Sequence, residues 1–142
     1  MKVVLDLKVV MDTNVFVSGV FFSGPPYEIL KAWQEGEFEL VVSQEILDEY
    51  RRVGEILSAE RPRVDLNPIL TFVIEHAKVY QPVVLSKPVC EDPDDDKFFA
   101  CALASGSQVI VSGDKHLLKV SGYQGIEVLK PREFVDRYLV EG

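Results

Sequence analysis

The chain is poor in the residues that staple small folds. Two cysteines in 142 residues, Cys90 and Cys101, are too few for a disulfide framework. Cys101 falls within an apolar stretch, where a small buried thiol is the expected state. With only two histidines, His76 and His116, no zinc site is expected. No apolar run approaches the roughly 20 residues of a membrane span, and the N-terminus lacks the parts of a signal peptide. A soluble, cytoplasmic protein is therefore expected. Bases are also in deficit, at 15 against 23 acids for a net charge of -8, which argues against broad electrostatic binding of nucleic acid. The deficit does not exclude an enzyme whose acids hold divalent cations, because those ions reverse the local field. Internal repeats and low-complexity segments are absent, and 47% hydrophobic with 27% charged residues is ordinary usage for one globular domain spanning residues 1–142.

Within that composition, Val9-Val10-Met11-Asp12-Thr13-Asn14 stands out: an unbroken apolar run stops at an acid followed by two hydrogen-bonding residues. Apolar runs without alternation suit a central parallel strand covered on both faces. An acid at the carboxyl end of such a strand lies where open α/β sheets place their ligands. The alternative for Asp12 is a helix N-cap. Residues 109–111 repeat the pattern, an apolar strand ending in Ser112-Gly113-Asp114-Lys115-His116.

Between these strands the pattern alternates. Helices are read at residues 27–35, 44–57 and 68–77, and strands at 38–42 and 78–85, the last interrupted by Pro82. The Gly24-Pro25-Pro26 run is read as a turn or loop, and Ser43 as an N-cap. Residues 126–129 give a last strand, and Pro131 starts a helix to about residue 138. The expected fold is α/β, three-layered, with a central mainly parallel sheet of about five strands flanked by helices. In the helix after Ser43, Ile46, Tyr50, Val53 and Leu57 share one face; Glu49 lies about 70° from its centre, Glu45 about 110° and Asp48 about 170°. Glu49 is thus the acid nearest the buried side, and Glu45 is accounted for by the helix dipole. His76, at a helix end, reads as structural.

The segment Cys90-Glu91-Asp92-Pro93-Asp94-Asp95-Asp96-Lys97 precedes a helix whose residues 98–104 are all apolar. One of Asp92 and Asp94 can serve as its cap, but four aspartates in five residues imply a counter-charge, for which a divalent cation is the economical source. Carboxylates without Cys or paired His prefer hard ions, so Mg²⁺ or Mn²⁺ is expected. His116 is either a contact to a substrate phosphate or the metal cluster, or a surface residue.

Four segments, Met11-Asp12-Thr13-Asn14-Val15, Ser43 through Glu49-Tyr50, Asp92 through Phe98, and Val111 through Leu117, together resemble the PIN-domain family of the kind found as the toxin of toxin–antitoxin pairs. The resemblance implies a Mg²⁺- or Mn²⁺-dependent ribonuclease. It makes Asp12 and Asp114 metal ligands and Glu49 the second-motif acid, with Thr13, Asn14 and Ser112 orienting the carboxylates. Relatives often read Asp-Asn-Lys at the third motif, which matches Asp95 to the ligand; here Asp-Asp-Lys leaves Asp96 as a competitor. The expected chemistry is hydrolysis of single-stranded RNA by metal-activated water, with Glu49 holding a second ion or acting as general base. The implied partners are an RNA substrate, a cognate antitoxin and a second copy of the chain. Two other readings are a non-catalytic PIN-like scaffold and a phosphotransfer or phosphatase domain. The phosphatase pattern would want an acid where Asn14 stands, and a receiver would want adjacent acids where Asp12-Thr13 stands.

Overall fold

The computed structural model describes residues 7–139; residues 1–8 read from the sequence as a short apolar lead-in to the first strand, and the first six of these lie outside the described residues. Strand β1 (Lys8–Met11) is the middle of a five-stranded sheet completed by β2 (Glu39–Val42), β3 (Lys78–Val79), β4 (Val109–Val111) and β5 (Glu127–Leu129). The order is β3-β2-β1-β4-β5, and every pairing is parallel. Val9, Val10 and Met11 are all fully buried, although adjacent side chains on a strand point to opposite faces. Both faces of the sheet are therefore covered, and the arrangement is the three-layered α/β fold expected from the unbroken apolar strands.

The covering helices are α1 (Thr13–Phe21), α2 (Pro25–Gln34), α3 (Gln44–Glu60), α4 (Asn67–His76), α5 (Asp96–Ser105), the short α6 (Lys115–Lys119) and α7 (Pro131–Phe134). Helix α5 packs on β1, β2 and β4 and buries Phe98, Phe99, Ala100, Cys101 and Ala102. It ends at Gly106, whose φ of 77° supplies the left-handed C-cap that a residue with a Cβ disfavours. Tyr50 of α3 stacks on Phe16 of α1 with ring centroids 4.1 Å apart, and its hydroxyl donates to the Met11 carbonyl at 2.6 Å. This bond fixes the helix carrying Glu49 to the strand that leads into Asp12. Among the described residues no helix is long and apolar enough to cross a membrane.

Three expectations are corrected. Pro25 and Pro26 are not turn residues but the first turn of α2, where a missing N–H costs nothing; the turn is carried by Gly24 at φ 119°. The strand read at 78–85 is only Lys78–Val79, extended by a Tyr80 N–H to Val42 carbonyl bond of 2.8 Å. Pro82 cannot donate to a ladder, and residues 81–84 run on outside the sheet, exposed. The last helix changes to a π-helical turn over Val135–Leu139.

Candidate active site

The parallel register pairs Met11 with Val111, so the next residues, Asp12 and Ser112, lie side by side at the carboxyl ends of β1 and β4. Asp12 is 4% exposed. Its Oδ1 accepts the Val15 N–H at 2.8 Å, which makes it the N-cap of α1, and its Oδ2 accepts the Ser112 hydroxyl. The capping alternative is thus realised locally, on a carboxylate that also lines a cleft. Burial pushes the Asp12 carboxyl up to about 6; the hydrogen bonds from Ser112 and Val15 oppose the shift, and the charges of Asp114 and Asp95 add to it. Ser112 Oγ in turn accepts the Asp114 N–H at 2.9 Å, and Asp114 Oδ1 accepts the His116 N–H at 2.7 Å, capping α6.

The aspartate cluster divides once its partners are known. Asp92 Oδ1 accepts the Asp94 N–H at 3.0 Å. Asp94 pairs with Lys97 Nζ at 3.0 Å. Asp96 accepts the amides of Val89 and Cys90, the latter at 2.7 Å. The count of acids therefore does not demand a divalent cation, because protein donors already serve three of the four. Asp95 is different. Its Oδ2 is buried and, among the described residues, is the buried side-chain oxygen or nitrogen left without a hydrogen-bond partner. Burial pushes Asp95 up to about 6, reinforced by Asp114, Asp92 and Asp94 and opposed by His116. The competitor Asp96 is spent on the loop before α5 and is not among the residues lining the cleft.

Glu49 reaches the same cleft from α3. Its side chain is 13% exposed, whereas Glu45 and Asp48 are exposed, as the helix phase requires. Oε1 accepts the Thr13 hydroxyl, and Oε2 meets Lys97 Nζ at 2.5 Å with Arg52 3.6 Å away. From the sequence, Lys97 has a place in the third motif but no role. The available signal was a lysine heading an all-apolar helix, since a lysine is almost never buried without a partner. Burial alone would lower its pKa; the bonds to Glu49 and Asp94 raise it on balance.

The cleft measures about 260 Å³, and its acids are Asp12, Glu49, Asp94, Asp95 and Asp114. Thr13 and the exposed Asn14 line it too. His116 turns outward to Glu91, with Nδ1 3.3 Å from Oε2, beside the Glu91–Lys119 pair at 2.6 Å. The oxygen-only donor set and the unpartnered Asp95 Oδ2 fit a hard divalent ion. Among the described residues, however, no three Asp, Glu, His or Cys side chains are drawn together closely enough to form a metal site as they stand. The like charges of Asp12, Asp95 and Asp114 oppose closer approach.

A family model described as PIN domain matches residues 8–116, which contain every cleft acid. An uncharacterized protein of Methanocaldococcus jannaschii is 31% identical over 152 aligned positions, covering 94% of this chain and 93% of that one.

Proposed function

Since the chain belongs to the PIN-domain family, a nuclease-type fold, we propose that it is an endoribonuclease that hydrolyses single-stranded RNA with Mg²⁺ or Mn²⁺ held by Asp12, Asp95 and Asp114. The observation that carries this reading is the buried, unpartnered Asp95 Oδ2, in one cleft with two other strand-end and helix-start aspartates. Buried polar atoms are almost always satisfied, and an orphan of this kind at a carboxylate-lined cleft asks for a cation. Burial and the charges of neighbouring aspartates leave Asp12 and Asp95 each near 6, an energetic cost that a bound cation would offset.

An ion held by Asp12, Asp95 and Asp114 would supply a more acidic water and offset charge on the scissile phosphate. The chain's own residues set the rest. Ser112 and the Val15 amide fix both oxygens of Asp12. Thr13 fixes one oxygen of Glu49. Arg52, 67% exposed at the cleft, is placed to meet a backbone phosphate, and Asn14 offers an amide at the rim. With a net charge of -8, RNA is held through such local contacts rather than by a basic surface. The motif resemblance extends the proposal to the toxin of a toxin–antitoxin pair acting as a homodimer; a short reading frame overlapping upstream would support the pair.

The test is the melting temperature during a Mn²⁺ titration. An intact site is stabilised by mass action, about 2.7 kcal/mol at a hundredfold excess over Kd. A flat response would point instead to a non-catalytic scaffold.

A further inference from the structure

Lys97 carries an inference that rests on the metal-dependent reading and goes past it. Its ammonium lies 2.5 Å from Glu49 Oε2, 3.0 Å from Asp94 Oδ1 and 2.9 Å from the Asp94 carbonyl. An ammonium has three donors, and these contacts use all of them. The side chain is 4% exposed, so solvent screens the charge little. Glu49 is correspondingly saturated: Thr13 occupies Oε1, and Lys97 and Arg52 face Oε2.

The ion pairs of the cleft go to Glu49 and Asp94. Asp12, Asp95 and Asp114 take none among the described residues. Their partners there are a hydroxyl and backbone amides, and Asp95 keeps an oxygen with no partner. The cleft is therefore divided into a half whose charge is offset by the protein and a half whose charge is not. A divalent ion at Glu49 would have to displace a buried ammonium or tolerate it at close range.

We infer that the Lys97 ammonium is a built-in cation on the Glu49 side, so that the site takes a single divalent ion, on the side of Asp12, Asp95 and Asp114. Glu49 is then the anchor of Lys97 rather than a metal ligand. Lys97 is a positioning residue: through the Asp94 carbonyl and carboxylate it also fixes the turn that presents Asp95.

The test counts Mn²⁺ bound per chain and its Kd in wild type, Glu49→Gln, Lys97→Met and the double variant, with circular dichroism as a folding control. The expected result is one ion in wild type, with Glu49→Gln changing Kd by no more than about threefold. In the Lys97→Met background, where Glu49 is released, adding Glu49→Gln should weaken Mn²⁺ binding by about tenfold or more. Two ions in wild type, one of them lost in Glu49→Gln, would overturn the inference and leave the nuclease reading standing. Absence of a Glu49 effect in the Lys97→Met background would overturn the role given to Lys97. No Mn²⁺ binding in wild type would remove the nuclease reading itself, and this inference with it. The wild-type and Glu49→Gln arms decide the ion count even if Lys97→Met fails to fold.

Discussion

The Ser112 hydroxyl donates to Asp12 Oδ2 across 100 residues of sequence. The parallel pairing of β1 with β4 makes the contact possible, because the register that matches Met11 to Val111 delivers the next residue of each strand to the same place. Sheet topology thus sets the geometry of the first carboxylate, and the same serine, by accepting the Asp114 N–H, sets that of a second.

Asp12→Asn separates stability from function. Burial holds the Asp12 carboxyl near 6, so at pH 7.5 the folded protein carries an ionised group its surroundings disfavour. Asn keeps an oxygen for the Val15 N–H and offers its amide to Ser112 Oγ. Melting in EDTA is expected to be unchanged or higher, by roughly 2–4 °C for each kcal/mol regained, while stabilisation by Mn²⁺ disappears. A large loss of stability in EDTA would contradict this.

The sign of the pH dependence follows from the same shift. Asp12 moves from 3.8 up to about 6 on folding, and Asp95 does the same. A group raised on folding contributes stability that is fully present below its unfolded pKa and is lost as pH rises through the folded one. The contribution of these two groups to metal-free stability should therefore be lost from about pH 4 to pH 6, by about 3 kcal/mol at most for Asp12. The melting-temperature difference between Asp12→Asn and wild type isolates this contribution. It should grow in favour of the variant over that range, and saturating Mn²⁺ should reduce the wild-type loss.

Adjacent aspartates should respond oppositely. Asp96→Ala removes the acceptor of the Val89 and Cys90 amides and should cost about 1–3 kcal/mol of stability while leaving Mn²⁺ affinity intact. Asp95→Ala should abolish that affinity with little cost to the fold. The reverse pattern in calorimetry would exchange their roles.

Tyr50→Phe keeps the stack on Phe16 but deletes the hydrogen bond to the Met11 carbonyl. A loss of about 1–3 kcal/mol in urea unfolding is expected, since the carbonyl loses a buried partner.

Arg52→Ala tests the phosphate contact. RNA affinity should fall, and its dependence on log salt should flatten by about 0.7 for a single-strand contact. An unchanged salt slope would remove Arg52 from the interface.

Much of this site was legible in the sequence, for identifiable reasons. Asp12 and Asp114 follow apolar runs whose lack of alternation marks buried strands, and helical phase singled out Glu49 over Glu45 and Asp48. Other features depend on tertiary partners that no local pattern encodes. Asp95 and Asp96 fall where a 3₁₀ turn over Pro93–Asp95 becomes α5. Periodicity cannot assign faces there, and only the amides of Val89 and Cys90 tell the two apart. The four clustered aspartates suggested a metal by their number, whereas three are served by protein donors and the case rests on Asp95. The role of Lys97 is not legible in its motif, because its partner Glu49 lies 48 positions earlier, on another helix.

The most direct measurement is cleavage of a mixed single-stranded RNA pool by purified protein with Mg²⁺ or Mn²⁺, set against EDTA and against Asp12→Asn. Metal-dependent cutting that is lost in both controls is the expected result. Cutting that survives EDTA, or proceeds at the wild-type rate in Asp12→Asn, would contradict the assignment of this cleft as a divalent-metal nuclease site.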